Sequence, residues 1–238
     1  ISRMTTGLAA PFFFYYLYRQ RSDQLSWAGL KNRAWLKDAA WFLAGLVPFA
    51  VLTLIYNYAR FHNALDSGYQ TVYGSYIHTD NKYSFFRVLF PHAAAYHLFD
   101  PRNIPWHLQA LLLLTPQVHS DFPFLRASPY GMSILLTSPA FVYAFLVKRK
   151  SALSPACWLA IACVCALLFM HYSQGWVQYG YRFLLDFAPF LLILTAFGFD
   201  DNATPGHRRL QFGLVAMSVV MGFTLGQYSA HYWAIHGG

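Results

Sequence analysis

Along this chain, apolar stretches of about 15 to 21 residues are separated by four short segments rich in Lys, Arg or turn-forming residues and by one long one. A helix needs roughly 20 mostly apolar residues to cross a hydrocarbon core. The pattern therefore predicts an all-α integral membrane protein, a polytopic bundle of about six transmembrane helices. They are expected at 4–18, 39–58, 131–147, 156–173, 183–199 and 210–230. The connections then fall at 19–38, 59–130, 148–155, 174–182 and 200–209, and six spans require them to alternate between the two sides of the membrane.

The placement of cations tests this alternation independently. Arg19, Arg21, Lys31, Arg33 and Lys37 crowd the first connection, Lys148, Arg149 and Lys150 the third, and Arg208 and Arg209 the fifth. These are the odd-numbered connections, and an excess of Lys and Arg marks the cytoplasmic side. The fourth connection carries no cation before Arg182. The second carries five, but it is long enough to be exempt from the rule. Residues 59–130 and 174–182 are therefore expected on the extracytoplasmic side, together with both chain ends.

The long outer segment is too apolar to be a solvated linker. Tyr83–Phe90 and Ile104–Leu114 are amphiphilic runs too short to span, separated by Pro91, Pro101, Pro105 and Pro116. They are expected to be interfacial or re-entrant helices at headgroup level, anchored by Trp and Tyr.

Composition sharpens this reading. Of 238 residues, 57% are hydrophobic and 11% charged, where soluble domains carry about 25% charged residues. The whole chain reads as a single membrane domain. It begins at Ile1 without a secretory leader pattern, and the expectation is a fragment of a longer protein. A net charge of +8 invites a nucleic-acid reading, yet the cations form no stripe and no nucleic-acid motif is present. Cys157, Cys163 and Cys165 share one apolar run and read as packing residues. All nine acidic residues are aspartates, so any carboxylate chemistry here belongs to Asp.

Two constellations carry candidate chemistry. Arg182 and Asp186 are four residues apart, on one face of the expected fifth helix. Either they neutralise each other near the interface, or Arg182 turns its guanidinium toward an anionic headgroup with Asp186 holding it in place. The second is Tyr56–Tyr69, at the exit of a transmembrane helix. There Arg60 suits a phosphate, Asp66 a proton or sugar hydroxyl, and Tyr69 a pyranose face. The competing reading is that Arg60 snorkels to the headgroups while Asn63 and Gly68 build turns. Six of the ten histidines (His62, His78, His92, His97, His107 and His119) fall in the outer segment. Their spacing fits individual hydrogen bonding better than a metal site.

Three stretches together resemble the C-terminal membrane half of bacterial C-type glycosyltransferases, the polyprenyl-phosphate-sugar-dependent enzymes related to protein O-mannosyltransferases. They are Asn57–Tyr69, Phe122–Phe141 and Gly180–Leu191, and the similarity covers about residues 1–200. The resemblance implies transfer of a sugar from a lipid phosphate on the extracytoplasmic side of a bacterial inner membrane. It implies that Arg182 and Arg60 bind the donor phosphate, and that Asp66, Tyr69, Tyr181 and Asp186 line the cavity. In that chemistry a carboxylate activates the acceptor hydroxyl while cations or a divalent metal stabilise the departing phosphate. The expected partners are the lipid-linked donor and membrane lipids, with no nucleic acid. The family's acidic catalytic motif, in the first outer loop of a complete enzyme, has no counterpart in this chain. A second expectation follows from that: a non-catalytic membrane subunit packed in a larger assembly. A transporter is disfavoured because the chain shows no paired Gly/Pro-interrupted segments in two symmetric halves.

Overall fold

In a computed structural model, the chain is described at residues 4–22, 26–68, 71, 99–120, 124–148, 151–175 and 178–227. It is mostly helical and divides into two compact units, Ile1–Leu98 with Ser151–Cys163, and Phe99–Lys150 with Val164–Gly238. The sequence reads as one domain, whereas the contacts cluster in these two units.

In the first unit, a 3-10 segment Met4–Ala9 runs into α1 (Ala10–Arg21), where Pro11 sits in the first turn and its missing N–H costs nothing. After a single turn, α2 (Trp27–Leu30), comes α3 (Arg33–Phe61). Helix α3 is longer at both ends than its apolar run at 39–58. The Asn32 side chain accepts from Ala34 N–H at 2.8 Å and caps its start. Arg21 Nη2 pairs with Asp38 Oδ2 at 2.8 Å, which allows the polar first turns to stay helical. Aromatic packing joins α1 to α3 through Phe13 and Phe42, with ring centroids 5.0 Å apart, and Trp35 Nε1–H donates to Phe14 O at 3.4 Å.

Helix α3 stops at His62, which sits in the left-handed region at φ 54° and sends its N–H to Tyr58 O. Glycine adopts this conformation without the steric cost of a Cβ. His62→Gly is therefore expected to stabilise the protein by up to about 1 kcal/mol, read as a raised thermal midpoint in detergent.

The second unit opens with a 3-10 turn, Pro101–Asn103, and α4 (Ile104–Leu112). The short helix expected inside the outer segment is present there; the run at 83–90 lies outside the described residues. A two-stranded antiparallel hairpin follows, with β1 (Gln117–Val118) paired to β2 (Leu125–Arg126). No alternation long enough to announce it exists in the sequence. The stretch expected as one helix at 131–147 is broken into α5 (Ile134–Thr137) and a 3-10 segment, Pro139–Leu146. Pro139 provides no N–H and disfavours helical backbone at Ser138, whose ψ is 65°. Helix α6 (Leu153–Leu168) belongs to the first unit up to Cys163 and to the second from Val164; the second unit continues with a 3-10 turn Arg182–Asp186, α7 (Ala188–Asp201) and α8 (Pro205–Met221), which runs on as a π turn to Gly226.

The core of this unit sets Tyr143, Ala144, Leu191, Leu194 and Gly198 against one another. Here α7 packs on the 139–146 segment so closely that a Cβ on Gly198 would collide with the Tyr143 carbonyl. Small residues at a helix contact permit this approach of backbones.

Two helices among the described residues are long and apolar enough to cross a membrane: Arg33–Phe61, of 29 residues, and Pro205–Gly226, of 22. Leu153–Leu168 is apolar but shorter.

Candidate functional site

The second unit has two chemically different ends. At one, the connections 99–133 and 170–182 are tied to each other. Asp100 N–H donates to Met170 O at 2.8 Å, Asn103 Nδ2 to the same carbonyl at 3.0 Å, and Gln178 N–H to Pro129 O at 3.3 Å. Single bridges join Phe99 to His171 and Tyr130 to Gln178. At the other end, Asn202 Nδ2 donates to Leu146 O at 2.9 Å and Lys148 N–H to an Asp201 carboxylate oxygen at 2.7 Å. Tyr143 OH pairs there with His207 Nδ1 at 2.9 Å. Within the second unit, residues 99–133 and 170–182 are thus tied to one another at one end, and residues 143–148 to 201–207 at the other.

The first of these ends is built around two buried groups. Asp100 caps the turn at 101–103, accepting from Arg102 N–H at 2.8 Å, and also takes the Arg102 guanidinium through two further bonds of 2.9 and 2.8 Å. This fixes the start of α4, which buries His107, Ala110 and Leu111 at the three- and four-residue spacing of one helical face. His107 Nδ1 lies 2.7 Å from Tyr181 OH, and its Nε2 lies 2.7 Å from His171 O. His107 is 1% exposed and Tyr181 2%. Phe169 stacks on the imidazole at 5.8 Å, and Phe183 leans on it at 5.9 Å.

The other buried group is Gln178. Its Nε2 donates to Tyr130 O at 2.6 Å and to Gln174 O at 2.9 Å, while its Oε1 accepts from Arg182 N–H at 3.4 Å. Gly175, at φ 103°, leaves room for it: a Cβ there would strike the Gln178 amide. Gly131, at φ 97°, allows the Gly180 backbone to approach. Burial raises the phenol pKa of both Tyr130 and Tyr179, so these side chains stay neutral beside the loop.

The residues expected to form a site are distributed as follows. Arg182 is exposed, its guanidinium 5.7 Å from the Phe183 ring centroid. Asp186 is buried. The expectation that they share a helical face is overturned because residues 182–186 form a 3-10 turn, not an α-helix. At three residues per turn, positions four apart are rotated by about 120°. Tyr181, expected at a cavity wall, is enclosed among His107, Phe169 and Phe183. In the first unit, Arg60 is exposed, bonded through Nη1 to Tyr56 OH at 2.9 Å, and lies 5.2 Å from the Phe61 ring centroid. Asp66 is buried, accepting from Gly68 N–H and Thr71 N–H at 2.8 Å each and from the Thr71 hydroxyl. Its acceptor sites thus close a turn. Tyr69, His78, His92 and His97 lie outside the described residues.

Among the described residues, no group of three His, Cys or Asp side chains gathers as metal ligands. The sequence pattern identified neither His107 nor Gln178 as central. No protein-family model, curated protein or solved structure matches this chain.

Proposed function

We propose that this chain crosses a bacterial inner membrane about six times and forms the donor-binding half of a glycosyltransferase using a polyprenyl-phosphate sugar on the extracytoplasmic side. The membrane part of this reading draws on α3 and α8. At about 1.5 Å per residue, 29 residues extend about 43 Å, more than a hydrocarbon core requires. Nearly all of that length is exposed, including Trp41 and Phe49 at 71% each, as are Phe212 and Phe223 on the other helix at 78% and 73%. A core helix would bury such side chains; a helix whose solvent is lipid leaves them outside.

The observation that carries the functional part is the setting of Arg182. It is an exposed guanidinium on a rigid, buried aromatic platform, at the end of its unit away from Lys148, Arg208 and Arg209. Under the positive-inside rule that end faces outward, where the lipid-borne phosphate of such a donor is found. Planar guanidinium recognises phosphate through two parallel hydrogen bonds. Among the described residues, the buried Gln174 Oε1 and Tyr179 hydroxyl on the same connection have no hydrogen-bond partner, and sugar hydroxyls would satisfy them.

Arg182→Ala is expected to lower consumption of the lipid-linked sugar on the order of 100-fold, because charge-assisted hydrogen bonds contribute about 1.5–3 kcal/mol each. Arg182→Lys retains the charge without the fork and should fall in between. Unchanged consumption in Arg182→Ala would remove this residue from the donor site. The alternative, a non-catalytic subunit, draws support from the aspartates: Asp66 and Asp100 are both engaged by their own segments, so neither is poised to activate an acceptor hydroxyl. Purified protein that neither binds nor consumes the donor would favour that second reading.

A further inference from the structure

We propose that His107 is the positioning residue for Arg182, acting through Tyr181 and Phe183. The inference rests on Arg182 as the contact to the donor phosphate and names the group that fixes its direction. His107 stands 74 residues before Tyr181 in the chain, on α4, yet it touches both neighbours of Arg182: Tyr181 by hydrogen bond and Phe183 by ring contact. The Arg182 guanidinium in turn lies over that same Phe183 ring.

The chemistry of the two ring nitrogens fixes their roles. A carbonyl oxygen only accepts, so Nε2, 2.7 Å from His171 O, carries the proton. In the neutral ring Nδ1 is then a bare acceptor, and the Tyr181 hydroxyl donates to it at 2.7 Å. One imidazole thereby joins α4, the backbone at 171 and the phenol at 181. Tyr181 is held at ring and hydroxyl and Phe183 is held against the imidazole, which fixes the chain on both sides of Arg182 and the ring that its guanidinium lies over. The backbone N–H of Arg182, accepted by Gln178 Oε1, adds a tie at the peptide itself. Preorganisation of this kind spares a binding site the entropy of ordering a long side chain.

The two amide replacements separate positioning from folding. In His107→Asn the side-chain oxygen can accept from Tyr181 in place of Nδ1. In His107→Gln the terminal NH2 reproduces Nε2 and its bond to His171 O but leaves the phenol without an acceptor. The test measures binding of a polyprenyl monophosphate, in phosphatidylcholine nanodiscs, to the full-length protein. His107→Gln and Tyr181→Phe are each expected to weaken binding about tenfold, while His107→Asn stays within about threefold of wild type. In the Arg182→Ala background His107→Gln should then have no further effect, because residues acting as one unit are non-additive. Full additivity, or equal loss in the Asn and Gln variants, would overturn the positioning role while leaving Arg182 as the phosphate contact. Undiminished binding by Arg182→Ala alone would overturn both.

Discussion

Gly198→Ala is expected to destabilise the second unit by about 3 kcal/mol or more, placing it among the most damaging single-methyl additions in the protein. Two effects compete at this position. Glycine within a helix is about 1 kcal/mol less favourable than alanine, so the substitution should help wherever space allows. At Gly198 it does not: the new Cβ would collide with the carbonyl oxygen of Tyr143, which is backbone and cannot rotate away. Helix α7 would have to leave the 139–146 segment, opening the packing around Tyr143, Leu194 and Thr195. Gly213, on α8, is the internal control, because among the described residues a Cβ there meets nothing within 4 Å. Gly213→Ala should raise the thermal midpoint slightly and Gly198→Ala should lower it steeply, both followed by fluorescence-detected size exclusion after heating in detergent. Equal midpoints for the two variants would mean that α7 and the 139–146 segment are not in backbone contact.

Gln178→Leu is the second large effect, with an expected loss of about 3 kcal/mol accompanied by loss of donor binding. The amide serves three backbone groups from one buried position. A leucine of similar volume preserves the packing but strands the Tyr130 and Gln174 carbonyls and the Arg182 N–H, and each buried unsatisfied group costs about 1–3 kcal/mol. Gln178→Glu should be worse, since its carboxylate faces two carbonyl oxygens. Hydrogen exchange would show the effect as faster exchange confined to residues 128–133 and 171–182. Protection unchanged in that region would refute the role given to Gln178.

Much of the helical content was legible in the sequence, because long apolar runs with charged flanks leave few alternatives. Helices α3, α7 and α8 fall where the runs are, and the added turns at 33–38 and 205–209 are explained by side-chain caps at Asn32 and Thr204. What the pattern concealed is local and depends on single residues. Pro139 breaks a run that is continuous in hydropathy. Residues 182–186 tighten to a 3-10 turn ahead of Pro189, so that Arg182 and Asp186 separate. A two-residue strand pair has no periodicity to detect. The candidate site was legible at Arg182 but not at its support, since His107 and Gln178 matter through contacts 74 and 48 positions away in the chain. Hydropathy registers the burial of such residues, if anything, as noise.

Introduced cysteines in a protein whose own Cys157, Cys163 and Cys165 are replaced by serine offer the most direct test of sidedness. Gln117→Cys and Arg182→Cys should react with a membrane-impermeant maleimide on intact cells, whereas Lys148→Cys and Arg208→Cys should react only after permeabilisation. All four positions are exposed, so access to the reagent is not limited by burial. Reaction of the 148 and 208 positions on intact cells, with protection of 117 and 182, would contradict the account.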